Sequence, residues 1–446
     1  MKIMRGIKLD PPKVLVLGFS TVILLGTILL MLPVATVDGQ GLGFTNSLFT
    51  ATSAACVTGL VVVDTGSTFT TFGEIVILSL IQVGGLGFMS FATLAAFVLG
   101  KKISLKERLI LQESLNHLTV EGIVRLVRRI LIFTAVIEFI GGILLSFRFS
   151  FDMPIGKAIY FGFFHSISNF NNAGFDLMGD FRSLTGYVDD PIVTLTVSAL
   201  IFLGGIGFIV MNEMYEYRST RKLSLHSKIV LSVTGCLITI GTVMIFFLEY
   251  HNPKTLEPLS MTGKVLGSLY QAITPRTAGS NTLNIGDLTQ STLLLIIILM
   301  FIGASPGSTG GGIKTSTFAV LLGAVKSQIR GKEDVAFFGR RVLPQTIYKS
   351  LTVTLSAIFL VMAVTMLLTI SEHGKDFLMI LFESVSAFAT VGLSMGLTPE
   401  LSGFGKFLII FTMFAGRVGP LTVAFAVTLR RQQDPFRYPV GKIMIG

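Results

Sequence analysis

An all-α integral membrane protein is predicted, with four pseudo-repeated helix–pore-loop–helix modules set around a shared centre. Three observations predict it. Hydrophobic residues make up 51% of the chain and charged residues only 13%, where a soluble domain carries about 25% charged residues. A short pattern recurs four times between apolar runs, as LFTATSAACVTGL (48–60), FFHSISNFNNAGF (163–175), SLYQAITPRTAGS (268–280) and LFESVSAFATVGL (381–393). Lysine and arginine are concentrated between the modules, and none occurs from Val14 to Gly100.

Each quarter reads in the same order: spanning helix, short amphipathic helix with a glycine-ended loop, spanning helix. The first spans are Val14–Val34, Leu126–Leu145, Lys228–Leu248 and Ser350–Ile370. The second spans are Phe72–Leu99, Pro191–Tyr215, Thr292–Gln328 and Phe404–Leu429. Module boundaries fall at 1–125, 126–225, 226–348 and 349–446, giving eight spans and four re-entrant loops in one membrane domain. The loop helices are about ten residues long, whereas a span needs about 20. Non-helical backbone at membrane depth is tolerated where protein buries it or water lines it, so four such stretches imply a common aqueous lining, a central ion pore. The basic start MKIMRGIKLDPPK precedes a run of nearly spanning length with no A-x-A site after it, so it reads as a retained first helix rather than a signal peptide.

The net charge of +10 raises nucleic acid as a partner. The positive residues lie in loops between apolar runs, however, so no nucleic acid is expected and the lipid bilayer is the partner they imply. Clusters at Lys101–Arg108, Arg218–Lys228, Lys326–Arg341 and Arg430–Lys442 place both termini and the inter-module connections in the cytoplasm, with the four loops entering from outside. Two cysteines, Cys56 and Cys236, make no disulfide framework. There is no Ser/His/Asp, metal-cluster or paired-carboxylate arrangement, so catalysis is not expected.

The repeated glycines are Gly59, Gly174, Gly279 and Gly392. A bare cation entering a membrane must exchange its water shell for other oxygens, and rings of backbone carbonyls can supply them. Glycine permits the close approach this requires. The small residues Val57 and Thr58, Asn172 and Ala173, Thr277 and Ala278, and Thr390 and Val391 leave room for four strands to converge. These twelve residues are the candidate selectivity filter. Thr390-Val391-Gly392 matches the start of the TVGYG filter of potassium channels, so the filter is expected to hold K+ through backbone oxygens alone, with the negative ends of the short helices aimed at the ion.

These stretches, together with GLVVVDT, FATVGLSMGLTPELS and GRVGPLT, resemble the Ktr/Trk/HKT superfamily of potassium transporters along essentially the whole chain, and the membrane subunit of bacterial Ktr systems in particular. The resemblance implies sodium-dependent potassium uptake across the cell membrane by a homodimer with one pore per subunit. It also implies control by a cytosolic ring of RCK type. No cofactor is expected on this chain: K+ is the transported ion, Na+ an activator or coupled ion, and nucleotide would bind the regulatory partner. Two positions depart from the family pattern, Cys56 where threonine is usual and Ser280 where an aromatic is common. Cys56 beside the filter would make the pore a target for thiol reagents.

The second helix of module three is interrupted by GASPGSTGGGIKTS, Gly303 to Ser316. Glycines 303, 307, 310, 311 and 312 and Pro306 cannot sustain a helix. Ile313 between Gly312 and Lys314 spoils the phosphate-loop pattern GxxxxGK[ST]. The segment reads as a gate beneath the filter, formed by Gly303, Ser305, Pro306, Gly307, Ser308, Thr309, Gly310, Gly311, Gly312 and Lys314. A passive break is the alternative. Arg417, in GRVGP, is a cation at membrane depth. It would either donate to gate carbonyls and add an electrostatic barrier, or pair with an acid. GGLG at 84–87 and GGIG at 204–207 read as close-packing sites, which would confine control to modules three and four. Arg276 is expected to pair with an acid, Glu383 being the candidate. His165 reads as structural, and Glu138 as an internally bonded carboxylate or an ion site. The rival architecture is an alternating-access Na+/K+ symporter with its ion site at 303–316, but such carriers usually pair inverted repeats and these four repeats run in the same direction.

Overall fold

The computed structural model describes residues 11–87, 93, 109, 111–112, 122–419, 422 and 444. Module one contains α1 (Pro11–Leu30), α2 (Phe44–Ala55), the single turn α3 (Thr65–Thr68) and α4 (Thr71–Leu86). Module two contains α5 (Ile123–Phe149), α6 (Ile155–Phe170), α7 (Pro191–Gly205) and α8 (Phe208–Thr220). Module three contains α9 (Leu225–Glu249), α10 (Met261–Ile273), α11 (Gln290–Ile302) and α12 (Thr315–Ile329). A two-stranded hairpin, β1 (Ala336–Phe337) with β2 (Arg340–Arg341), precedes α13 (Pro344–Ser371), α14 (Phe377–Ala389) and α15 (Gly403–Val418) of module four.

Helix starts are set by side chains that accept from otherwise unpaired N–H groups. Ser260, Thr289 and Ser402 cap α10, α11 and α15. Asp190 accepts from Ile192 and Val193 at the start of α7, with Pro191 where no N–H is needed. Glu372, just past α13, ties the start of α15 by accepting from the Ser402 hydroxyl at 2.6 Å and its N–H at 3.1 Å. Burial pushes this carboxyl's pKa up, but those bonds, with Ser371 and Lys375, outweigh burial and hold it below the ordinary value.

Among the described residues, α1, α5, α9 and α13 are long and apolar enough to cross a membrane, and the bent pair α7–α8 is apolar enough to count as a fifth only if it is taken as one broken span rather than a re-entrant loop. One face of α5 carries exposed Ile132, Val136, Phe139 and Ile143, while Ile130, Thr134, Glu138 and Leu145 are buried. Phe247 and Phe359 are 72% and 77% exposed. Large apolar side chains in such number belong against lipid.

The modules close on one another. The second helix of each packs on the short helix of the next: α4 on α6, α7 on α10, α11 on α14, and α15 back on α2. Around this circle the C-terminal ends of α2, α6, α10 and α14 lead into the four glycine strands.

Three expectations are corrected. The span Pro191–Tyr215 is not one helix: α7 ends at Gly205 and α8 leaves at 99°. Gly207 sits between them at φ +98°, ψ +134°, a backbone conformation reserved for glycine. Nor is the break peculiar to modules two and three, because Gly87 (φ +80°, ψ +134°) ends α4 and Gly419 (φ +95°, ψ +131°) ends α15. With Gly303 at φ +63°, every second helix stops at one register on a glycine. Third, the short helices run 12 to 16 residues rather than ten. The rest of spans Phe72–Leu99 and Phe404–Leu429, the cluster Lys101–Arg108 and the tail Arg430–Gly446 lie outside the described residues, apart from isolated positions.

Candidate functional site

The four short helices end alike. Two residues before each ring glycine stands a non-glycine residue with positive φ: Val57 (57°), Asn172 (59°), Thr277 (76°) and Thr390 (50°). The next N–H turns back into the helix, Thr58 to Ser53 O, Ala173 to Ser168 O and Val391 to Ser386 O, while Ala278 reaches Thr274 O. In three modules this is a left-handed helix stop with a six-to-one bond. Valine and threonine are branched residues that avoid positive φ, so the conformation is strained and is held by its surroundings. The hydroxyls of Ser53 and Ser386 then accept from the N–H of Gly59 and Gly392 at 3.1 Å.

The glycines form a closed ring. A methyl on Gly59 would overlap the Ala173 carbonyl and crowd Gly174; on Gly174, the Ala278 carbonyl and Gly279; on Gly279, the Val391 carbonyl and Gly392; and on Gly392, the Thr58 carbonyl and Gly59. Their φ angles, +88°, +68°, +82° and +92°, are themselves glycine values. The carbonyl-bearing residues Thr58, Ala173, Ala278 and Val391 occupy one register in the four modules. The second-helix glycines serve the same assembly: a Cβ on Gly84, Gly204 or Gly416 would strike the Ala55, Phe170 or Phe388 carbonyl at the matching short-helix end. The close-packing role expected of GGLG and GGIG is therefore present alongside the helix break.

Beneath the ring lies the 303–314 loop. A Cβ on Gly310 would overlap the Thr277 hydroxyl, and one on Gly311 the Thr390 hydroxyl, so the loop backbone sits directly against strands three and four. It is tied to the break in module two: Ser305 N–H donates to Gly205 O at 3.0 Å, the Thr309 hydroxyl to Gly204 O at 3.1 Å, and Phe208 N–H to Gly307 O at 2.8 Å. Ser308 Oγ donates to Ser305 O, and Lys314 Nζ closes the loop on Gly310 O at 2.6 Å. Pro306 O lies against Gly207, and Gly303 against Gly311 and Gly312. Arg417 completes the arrangement, its guanidinium donating to Thr309 O in the loop and to the Gly84 and Gly85 carbonyls of module one. Among the described ion pairs no carboxylate meets Arg417. In GGLG, GGIG and GRVG, Arg417 takes the place of Gly85 and Gly205.

Arg276 does not meet Glu383. It donates to the Thr234 hydroxyl of α9 at 3.2 Å, and its Nε has no hydrogen-bond partner. Glu383 accepts instead from Ser394 at 2.8 Å and from Thr398, both on the segment leaving strand four, so its oxygens are satisfied locally. Thr50, His165, Tyr270 and Glu383 all stand nine residues before a ring glycine, and each is buried. His165 Nε2 takes the Leu177 N–H and Tyr270 meets Ser280, so three of the four clasp the chain leaving the ring. The aligned repeats carry this register, but one residue type does not recur in it, so it is silent at the level of sequence. Glu138 accepts from Gln82 at 3.1 Å and Asn171 at 3.0 Å. Glu138→Gln, whose amide nitrogen cannot accept, strands one of these two amide donors and Glu138→Leu strands both, so the amount of folded protein in membranes is expected to fall in Glu138→Gln and further in Glu138→Leu. Cys56, the residue that closes α2, is fully buried, so the expected thiol sensitivity does not fit its position. Uptake is expected to survive a membrane-impermeant thiol reagent unchanged.

Four short-helix C-termini leading into a closed ring of glycines and backbone carbonyls, set against a loop held by an arginine, are the arrangement of a membrane protein that handles cations. The chain belongs to the TrkH family, whose model is described as cation transport protein and matches residues 13–437. It is 45% identical over 445 residues to the Ktr system potassium uptake protein B of Bacillus subtilis (strain 168), covering 100% of this chain and 99% of that one. It is 40% identical to the protein of the same name from Vibrio alginolyticus, covering 98% and 95%. It is 39% identical to the potassium/sodium uptake protein NtpJ of Enterococcus hirae, covering 98% of each. The crystal structure of the potassium transporter TrkH from Vibrio parahaemolyticus has the same fold, with a TM-score of 0.74 at 17% identity over 96% of this chain and 87% of that one.

Proposed function

We propose that this protein takes up potassium ions across the cell membrane through a selective, gated, channel-like pore. The observation that carries this reading is the closed ring, in which each glycine stands against the carbonyl that precedes the next glycine. The residues Val57–Gly59, Asn172–Gly174, Thr277–Gly279 and Thr390–Gly392 form the filter, and the four short-helix dipoles favour a cation there. The 303–314 loop with Arg417 is the gate. Lys314 and Arg417 place positive charge beneath a cation site, and the loop blocks the axis until its bonds to Gly204, Gly205 and Arg417 give way.

The names of the relatives support potassium as the ion and membership of a multi-component system, and the name of NtpJ supports a part for sodium. On this reading the chain works as a homodimer beneath which a cytosolic RCK-type ring binds nucleotide. Each module contributes two crossings, the second being the broken helix, and both termini are cytoplasmic. The symporter alternative would place its ion at 303–316, but the fourfold ring is the better cation site. Potassium uptake and growth rescue in cells lacking their own importers test the reading: rescue at low external potassium is expected, and absence of uptake by correctly inserted protein would refute it.

A further inference from the structure

One position beside the ring is unlike its three counterparts. Directly after the ring glycines come Leu60, Phe175, Ser280 and Leu393, each no more than 1% exposed. Three of these side chains hold their strands by apolar packing, which is non-directional. The fourth is a hydroxyl, and a buried hydroxyl is tolerable only when hydrogen-bonded.

Ser280 has two side-chain partners. Its Oγ lies 2.6 Å from the Tyr270 hydroxyl and donates to Asn169 Oδ1 at 2.6 Å. The single Ser280 proton goes to Asn169, so the Tyr270 O–H is the donor in the other bond. The relay therefore runs Tyr270 to Ser280 to Asn169, and Asn169 Nδ2 continues to His165 O at 2.8 Å. Thr274 Oγ1 also donates to the Ser280 carbonyl. Tyr270 and Thr274 belong to module three, Asn169 and His165 to module two. Two further bonds follow the same seam, Asn281 N–H to Ser183 Oγ at 3.1 Å and Leu184 N–H to Asn281 O at 3.0 Å. Residues corresponding to Asn169 in modules one and four are Ala54 and Ala387, which cannot make such a bond.

Gly279 is covalently next to Ser280 and contacts both neighbours in the ring, Gly174 on one side and Gly392 on the other. Any shift of Ser280 moves strand three at both contacts. We propose that the Tyr270–Ser280–Asn169 relay is a positioning device that fixes the radius of the third strand and so sets discrimination between potassium and sodium. Directional bonds inside a low-dielectric seam hold a distance more tightly than a packed leucine does. The inference rests on reading the four strands as the filter and names a residue set that tunes it.

The test compares Ser280→Ala, Ser280→Thr, Tyr270→Phe and the Ser280→Ala/Tyr270→Phe double variant in the full-length protein. The readouts are the ratio of potassium to sodium uptake, the apparent affinity for potassium, and the protein inserted in membranes. Loss of the Tyr270–Ser280 bond in Tyr270→Phe, or of both Ser280 side-chain bonds in Ser280→Ala, is expected to lower the potassium-to-sodium ratio about tenfold or more. The double variant is expected to fall no further than the worse single, because the bonds act in series. Ser280→Thr keeps the hydroxyl and is expected to retain the ratio. A wild-type ratio in both Ser280→Ala and Tyr270→Phe, with only less protein or lower maximal uptake, would overturn the proposal. Tyr270→Phe removes one oxygen without changing shape, so it decides the matter even if Ser280→Ala inserts poorly. If serine at the ring glycines leaves selectivity intact, the filter reading itself falls; if it changes selectivity and the relay variants do not, only this inference falls.

Discussion

Gly392→Ala is expected to abolish selective potassium uptake, with apparent affinity falling at least roughly tenfold, since only about 1.4 kcal/mol of lost ion binding is needed for that. Two effects combine. The residue sits at φ +92°, where an L side chain costs on the order of 1–2 kcal/mol. The added methyl would also overlap the Thr58 carbonyl and the Gly59 Cα, both backbone atoms with no rotamer to yield. The ring must therefore widen or rotate, and its oxygens move off the ion. Gly396 provides the control, because it has φ +93° yet nothing within 4 Å of an added methyl. Gly396→Ala carries the same backbone strain without the collision, and it is expected to transport with wild-type selectivity. Equal defects in the two variants would mean that strain alone, not ring geometry, produces the loss.

Arg417→Ala is expected to raise uptake in the absence of any regulatory partner by roughly tenfold or more, because a bond to a charged donor contributes about 1.5–3 kcal/mol. The guanidinium joins Thr309 in the loop to Gly84 and Gly85 in module one. Removing it releases the loop from one side of the pore while the bonds to Gly204 and Gly205 remain. It also removes a positive charge beneath a cation site, which adds to the same effect. Arg417→Lys retains charge but not the planar fork that spans two backbones, so an intermediate flux is expected. Deleting Ser308 to Gly312 is expected to open the pore further. Unaltered, still regulated uptake in Arg417→Ala would show that the loop is a passive break.

Repetition made the ring legible. Four windows with one glycine each, at matched positions between apolar runs, marked the strand residues and the order of helices. What could not be read was local conformation that depends on neighbours. Val57, Asn172, Thr277 and Thr390 share a left-handed backbone but not one residue type, and only Asn172 is of a kind that favours it, so the sequence does not signal it at all four. The breaks at Gly87, Gly207 and Gly419 were hidden because GGLG, GGIG and GRVG lie inside runs apolar enough to read as continuous helix. The Arg276–Glu383 pairing failed for a different reason. Opposite charges suggested it, but the Ser394 and Thr398 hydroxyls, 11 and 15 residues beyond Glu383, satisfy that carboxylate. Arg417 was placed from the cost of an arginine at membrane depth, yet its reach across two modules is set by the tertiary packing of α15 and the loop.

The measurement that bears most directly on the ring is potassium-to-sodium uptake in cells without their own potassium importers, for the wild type and for Gly59→Ser, Gly174→Ser, Gly279→Ser and Gly392→Ser separately. All four serines meet a neighbouring backbone carbonyl. The expected result is rescue by the wild type at low external potassium, with each variant losing potassium affinity or admitting sodium. Wild-type selectivity in any one variant that is inserted normally would contradict a four-strand filter and move the ion site toward the 303–314 loop.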